Sequence, residues 1–470
     1  MKKRTVFLLT AICLTAILAS CHWIDRIQAP TDAASAWKRI DQTMGALSSY
    51  EESSVMSIVF YQGGEKVESL MNTVAVVFSD PSDAYYYYAK MEGTIESKGL
   101  DYKEKMTRVE AYHNGTAFIA NEASGTLLKL CSSMTAEDYK EYLNSSSVMH
   151  DIDMMDCTNA DFVKNADNTY TITLSGYTKK TVAAFMKGTD FDKGLFDHDI
   201  LDMEITLKAD SQFRAAELNL TLIFDVEETE LAKPILTMTS TFGKYNEAAI
   251  ITDGLDPASY TEIDDIRILD RVTDGIEAHC DATNGSFTLK LKQCVTVANQ
   301  NNIYEETDHT TYGKKNGDYF YDIKADTSSG TITIRYQNGI QTVTQGGQSQ
   351  TASQSEDDAR AYIEYLVNTA NYDSTGVAAV EKISEGVYQF QLEASNSATY
   401  EQIFASMNAT LTDADQTITV TFADDVITSI KSSVTCKGTL KQNNSSYPVT
   451  FTIESENIFH PLTNSDSSDI

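Results

Sequence analysis

The chain has 470 residues, a formal net charge of −32 and 42% hydrophobic residues. That length is too great for one core and implies two or three domains, while the apolar content excludes a globally disordered chain. The acidity excludes nucleic acid and electrostatic adhesion to anionic lipid, which both reward basic surfaces, and leaves solubility as its plain consequence.

Lys2, Lys3 and Arg4 form a positive cluster, and an apolar stretch follows from Val6 to Leu18. About 12–15 apolar residues suit the core of a signal peptide and fall short of the roughly 20 that cross a bilayer. The stretch ends in Leu18-Ala19-Ser20-Cys21. This closely resembles the bacterial lipobox, an apolar branched residue and two small ones before a cysteine. The resemblance implies that Leu18, Ala19 and Ser20 are read by the lipoprotein signal peptidase, that cleavage falls before Cys21, and that the Cys21 thiol carries a diacylglyceryl group. Residues 1–20 are then the signal peptide and 21–35 a lipidated tether. The membrane becomes a partner through lipid on Cys21, with the protein on the outer face of the cell membrane. Two or more acyl chains anchor stably where one does not. The alternative is an ordinary secretory signal with an incidental cysteine.

Beyond the tether, Trp37, Ile40, Met44 and Leu47 recur at helical spacing and predict a helix over 36–47. Strand-like runs follow at 53–61, 66–78 and 84–91, the first two joined at Gln62-Gly63-Gly64. Asn114-Gly115 predicts a hairpin turn. Thr135-Ala-Glu-Asp138 starts a helix in the manner of a capping box. Strand 170–174, a helix over about 179–186, and strands 203–208, 216–224 and 235–242 complete the unit.

A similar order recurs from about residue 263: a helix over 265–280, strand 286–297, the Tyr319-Phe320-Tyr321 strand and the Asn338-Gly339 turn. Thr135–Leu143 aligns without a gap on Ser355–Ile363, Tyr170–Leu174 on Tyr388–Leu392, Phe185 on Phe404, Ile205 on Ile418, and Thr237–Thr239 on Thr450–Thr452. Five matches in one order point to an internal duplication. The expected organisation is a first repeat domain over 36–254, a linker over 255–262, a second repeat domain over 263–461 and a disordered tail over 462–470. The Gln/Ser/Thr/Gly-rich stretch 341–358 reads as a long hairpin loop running into a helix cap.

The expected fold class is α+β: two tandem similar domains, each a curved antiparallel sheet, half-barrel-like, covered by a few helices. This order of elements resembles the LolA/LolB-like and LppX-like lipoprotein carriers, over about 420 residues and without any shared residue motif. The resemblance implies a cavity between sheet and helices that holds acyl chains, and it transfers no ligand-contacting residue.

Candidate chemistry is sparse. No HExxH, GxSxG or glycine-rich phosphate loop occurs, so the expected role is non-enzymatic, with no cofactor and no metal. The acidic cluster from Asp190 to Asp202 departs from a calcium-binding loop, with Leu201 where a glutamate is needed. Tyr85–Tyr88 offers either a glycan-stacking platform or common core, and alternation puts at most two of the four on one face. Cys131–Cys157 and Cys280–Cys294 are candidate local bridges, with Cys436 left over; buried thiols are the alternative. The function expected is a membrane-anchored extracytoplasmic lipoprotein binding a lipid or other hydrophobic small molecule. The alternatives are an envelope scaffold or protein-interaction lipoprotein with filled cores and no ligand, or a glycan-binding surface protein.

Overall fold

The computed structural model describes residues 30–62, 65–78, 85–97, 102–123, 125–145, 156–178, 181–182, 200–224, 235–280, 282, 284–297, 300–315, 317–370, 372, 374–393, 404–405, 408–442 and 445–460. The stretches read from sequence as signal peptide, lipobox and tail therefore lie outside the described residues. The chain divides into two compact units, Met1–Ile266 and Arg267–Ile470.

The first unit opens with helix α1 (Ala33–Gly45), capped by Asp32, whose side chain accepts from the Ser35 amide while the Ser35 hydroxyl reaches back. Ala33, Ala36, Ile40 and Met44 form its buried stripe. Six strands then meander: β1 (Ser49–Gln62), β2 (Glu65–Phe78), β3 (Tyr86–Ser97), β4 (Tyr102–His113), β5 (Thr116–Ala123) and β6 (Thr126–Ser133). Helix α2 (Ala136–Ser145) interrupts them. Five more strands follow: β7 (Cys157–Lys164), β8 (Tyr170–Tyr177), β9 (Ile200–Ala209), β10 (Ala215–Phe224) and β11 (Ile235–Gly243). β11 pairs with β1, and the short β12 (Thr261–Glu262) adds in parallel to β6. The result is a 12-stranded sheet ordered β12-β6-β5-β4-β3-β2-β1-β11-β10-β9-β8-β7.

The second unit repeats the plan. Helix α3 (Ile268–Cys280) precedes β13 (Asn284–Val297), β14 (Gln300–Lys315), β15 (Asp318–Thr327), β16 (Gly330–Gln337), β17 (Ile340–Gln345) and β18 (Gln348–Ser353). Helix α4 (Glu356–Val367) leads to β19 (Val377–Ser384), β20 (Val387–Glu393), β21 (Ala409–Ala423), β22 (Val426–Gln442) and β23 (Ser445–Phe459). β23 pairs with β13, closing an 11-stranded order β18-β17-β16-β15-β14-β13-β23-β22-β21-β20-β19.

This corrects the expected fold class. Sheets of 12 and 11 strands dominate, with four α-helices among the described residues, so the units are mainly β and not helix-covered α+β. A stripe as narrow as that of α1 cannot blanket so broad a sheet. The strands missed by sequence explain the error. In β17 and β18, Thr, Gln and Ser alternate with few apolar residues, and both faces stay at least partly wet. The stretch expected to be a loop is thus a hairpin, turned by Gly346 and Gly347, both with positive φ.

Two units with one strand order support the duplication, and the pairing registers refine it. Met134 donates to the Gly115 carbonyl and Gln354 to that of Gly339, so α2 and α4 align as their sequences do. Ile205 and Ile418 are also counterparts. Tyr388 pairs with Val420, the counterpart of Leu207, yet Leu207 pairs with Ile172; Ile172, not Tyr170, therefore matches Tyr388. Thr237 pairs with Ser57, whose counterpart Lys292 pairs with Glu454 rather than Thr450. Even displacements keep every side chain on the same face, which is why the sequence pattern matched despite the slip.

Candidate functional site

Residues opposite one another on antiparallel strands share a face, so registers can be read as rows across the sheet. In the first unit one inner row runs Phe242, Glu52, Ala75, Ala89, Glu110, Ile119, Leu130. The rows beside it bring Tyr87 and Tyr112 on one side, and Ser240, Ser54, Thr73, Met91, Arg108 and Asn121 on the other. Two carboxylates thus face the interior with only alanine methyls between them.

Helix α2 contributes Tyr139 and Tyr142 above that row. Tyr139 stacks on Tyr112 at 4.9 Å and meets Tyr87 at 5.9 Å and Tyr142 at 5.5 Å. Lys140, on the same helix, sits 4.7 Å over the Tyr85 ring. Arg108 donates to Glu110 Oε1 through Nε at 2.7 Å and also through Nη2, and the Tyr142 hydroxyl reaches the same oxygen at 3.4 Å. Ser54 donates to Glu52 Oε1 at 2.8 Å and pairs with Ser240 at 2.8 Å.

Four polar atoms of this buried cluster are left over. Glu52 Oε2, Glu110 Oε2, the Tyr87 hydroxyl and the Tyr139 hydroxyl are buried without a hydrogen-bond partner. Their residues are all but inaccessible, at 1%, 0%, 0% and 1% exposure. Each such atom costs about 1–3 kcal/mol unless something satisfies it. Burial raises the Glu52 carboxyl to about 7, against the lowering hydrogen bonds from Ser54 and Ser240. Burial also pushes the Tyr87 and Tyr139 hydroxyls well above their usual range, with Glu110 adding to both.

The second unit is an internal comparison. Its aromatic cage persists in part: Tyr321 stacks on Tyr336 at 5.5 Å and meets Tyr362 of α4 at 5.8 Å, and Arg360 lies 4.3 Å over Tyr319, but Ala359 stands where the first unit has Tyr139. Its matching row reads Phe459, Phe287, Thr310, Ile323, Ile334, so Phe287 and Ile334 stand where the first unit has Glu52 and Glu110. Tyr321 is satisfied there, donating to Gln354 and accepting from Gln341. A different polar pair flanks Leu289: Asp308, raised by burial and then by Glu306 to about 7, and Asn457, whose amide donates to the Leu366 and Val367 carbonyls at the end of α4.

The residues singled out by sequence fare unevenly. Leu18, Ala19, Ser20 and Cys21 lie outside the described residues, as does the acidic cluster as far as Asp199. Tyr86, Tyr87 and Tyr88 are buried, so the run is core and not an exposed stacking platform. Tyr86 and Tyr88 face the opposite side from Tyr87. They pack there with Phe118, Cys131 and Leu255 under the returning segment that ends in β12. Cys131, Cys157, Cys280, Cys294 and Cys436 are thiols, and neither candidate bridge is formed. Glu52 and Glu110 went unnoticed. The signal for Glu52 was parity, since Tyr50, Met56 and Ile58 put the even positions from 50 to 58 of β1 inside. β4 hides Glu110, because Val109 and Ala111 make its odd phase look equally apolar.

No family model and no curated protein matches the chain. Solved structures with partial likeness include Rv2717c from M. tuberculosis, at 9% identity and TM-score 0.16, covering 43% of this chain and 96% of that one. Kievitone hydratase from Nectria haematococca aligns at 7% identity and TM-score 0.11, covering 88% and 89%. A mutant of the Rh. blastica porin aligns at 8% identity and TM-score 0.11, covering 88% and 99%. Scores this low support neither a fold assignment nor a function.

Proposed function

We propose that the protein is an exported lipoprotein, held on the outer face of the membrane by lipid on Cys21, that acts by binding a small molecule and not by catalysis. The lipobox-like run supports the anchoring. The observation that carries the binding half is the buried cluster of the first unit, whose four polar atoms lack partners among the described residues. The second unit keeps part of the cage, with Ala359 in place of Tyr139, and replaces both carboxylates by apolar side chains, so the fold itself does not require them. An acyl chain, the guest implied by the carrier resemblance, would leave those oxygens unsatisfied; a guest with polar groups satisfies them.

Anchoring is tested by radiolabelled palmitate in a bacterial host: label on the wild-type chain and none on Cys21→Ser supports it, and equal labelling overturns it. Binding is tested by native mass spectrometry of the full mature chain with Cys21→Ser. A co-purifying mass near one per chain supports the reading. A clean apo mass at every protein concentration overturns it and leaves an envelope scaffold.

A further inference from the structure

We propose that the free edge of β18 in the second unit is a homodimer interface, to which β18 of a second copy adds in antiparallel sense. Three features of the edge point to this partner.

The first is what the fold does with the same edge elsewhere. β18 is the counterpart of β6 in the shared strand order. In the first unit that edge is taken by an added strand, β12, which pairs Thr261 with Leu130 and Glu262 with Cys131. Among the described residues β18 pairs with β17 alone, and all six of its residues are exposed. Gln354 donates to the Gly339 carbonyl. By antiparallel alternation Gln348, Gln350 and Ala352 then turn their backbone groups to β17, while Ser349, Thr351 and Ser353 turn theirs outward.

The second is the lack of guards. Free edges are kept from pairing by charge, proline, bulges or shortness. β12 has only two residues, β7 carries Asp161 and Lys164, and β19 carries Glu381 and Lys382 and breaks register twice. β18 reads Gln-Ser-Gln-Thr-Ala-Ser, uncharged, without proline and in unbroken register.

The third selects the occupant. At a net charge of −32, two copies repel wherever their acidic surfaces meet. From Gly330 to Ser353 the only charged residue is Arg335, on β16 and two strands in from the edge. Copies therefore approach here at the least electrostatic cost. A two-fold axis at Gln350 sets Ser349 of one copy opposite Thr351 of the other, so outward backbone groups meet outward backbone groups. The outer hydroxyl row Thr333, Thr344, Ser349, whose last two oxygens lie 2.9 Å apart, then runs on into the second copy. Cross-strand Thr and Ser pairs stabilise such a ladder. Each copy spends its open edge on the other, and the assembly closes at two.

Sedimentation equilibrium of the full mature chain with Cys21→Ser tests this. A reversible dimer that grows with concentration is expected, because six residues a side make a small interface. Ser349→Lys combined with Thr351→Lys sets lysines opposite one another twice and should weaken the dimer at least about tenfold, with the melt unchanged. Mixing that variant with Ser349→Glu combined with Thr351→Glu should restore a dimer holding one chain of each. A chain monomeric at every concentration, a lysine variant that dimerises as well as the parent, or a mixture that stays monomeric overturns the proposal.

Discussion

Arg108 and Glu110 show how one buried pair can be judged by its counterparts. The pair is 6% and 0% exposed, so removing one member strands a charge in the interior. Arg108→Leu is therefore expected to cost about 3–5 kcal/mol by chemical denaturation. The double variant Arg108→Ile with Glu110→Ile installs the residues of the second unit, Ile332 and Ile334. Well-packed apolar side chains replace a buried ion pair at little cost, so it should recover most of the loss. A double variant as unstable as the single one would refute the register that equates the two units. Glu52 gives a second test, with pH as the variable. Asp41, Glu52 and Asp308 are each raised by burial to about 7. A carboxyl raised on folding binds its proton more tightly in the native state. Its contribution is full below the unfolded value near 4 and is lost as pH rises through about 7. Tm should thus fall between pH 5 and pH 8, and Glu52→Gln should raise Tm at pH 8 by a few degrees and flatten that slope. An unchanged slope would remove Glu52 from the account.

At the scale of elements, the two Asn-Gly turns make a matched pair. Asn114 and Gly115 have φ of 51° and 80°, Asn338 and Gly339 53° and 76°. Both residues of each turn lie in the left-handed region, which suits the twist of a two-residue hairpin. Each glycine carbonyl also receives the amide that leads into the following helix, from Met134 or Gln354. Gly115→Ala and Gly339→Ala should each cost about 1–2 kcal/mol through backbone strain. The nearest atom to an added Cβ is 4.0 Å away at Gly115 and 3.9 Å at Gly339, so clash contributes nothing. Equilibrium denaturation would read the two losses, and a neutral Gly115→Ala would mean that the turn relaxes to another type. The sheet faces differ more than the turns. On the outer side of the first unit, Tyr86 both donates to and accepts from the Ile251 backbone, fastening the returning segment over Phe118 and Cys131. The matching positions of the second unit include Asp322 and Arg335, an exposed ion pair at 2.8 Å that suits a wet face.

For the whole molecule, cysteine chemistry separates processing from folding. All five cysteines beyond Cys21 are thiols, and burial raises Cys436 to about 11, which makes it a poor nucleophile. If residues 1–20 are removed and Cys21 carries a thioether-linked lipid, as proposed, a thiol titration of the unfolded mature protein should count five. Reductant should leave Tm unchanged. A count of three or one would show that bridges form after export.

Much of this organisation was legible in the sequence. The helix cap at Ser355, the Asn-Gly turns and the alternation of β1 and β13 are local signals, decided by residues a few positions apart, whereas the cap at Asp32 went unread and the first helix starts at Ala33, inside the stretch expected to be tether. The repeated order of elements was legible for the same reason, because faces and turns recur even where register slips by two or four. The mainly β character was not, since polar strands such as β17 and β18 owe their conformation to neighbours in the sheet and show little pattern of their own. The buried carboxylate cluster was not legible either. Glu52, Ala75, Ala89 and Glu110 lie on four different strands, and only the pairing registers put them in one row beneath Tyr139 and Tyr142. The lipobox-like run is the opposite case, a reading that belongs to contiguous sequence alone. Local chemistry set the elements, and long-range pairing decided which of their side chains share an interior.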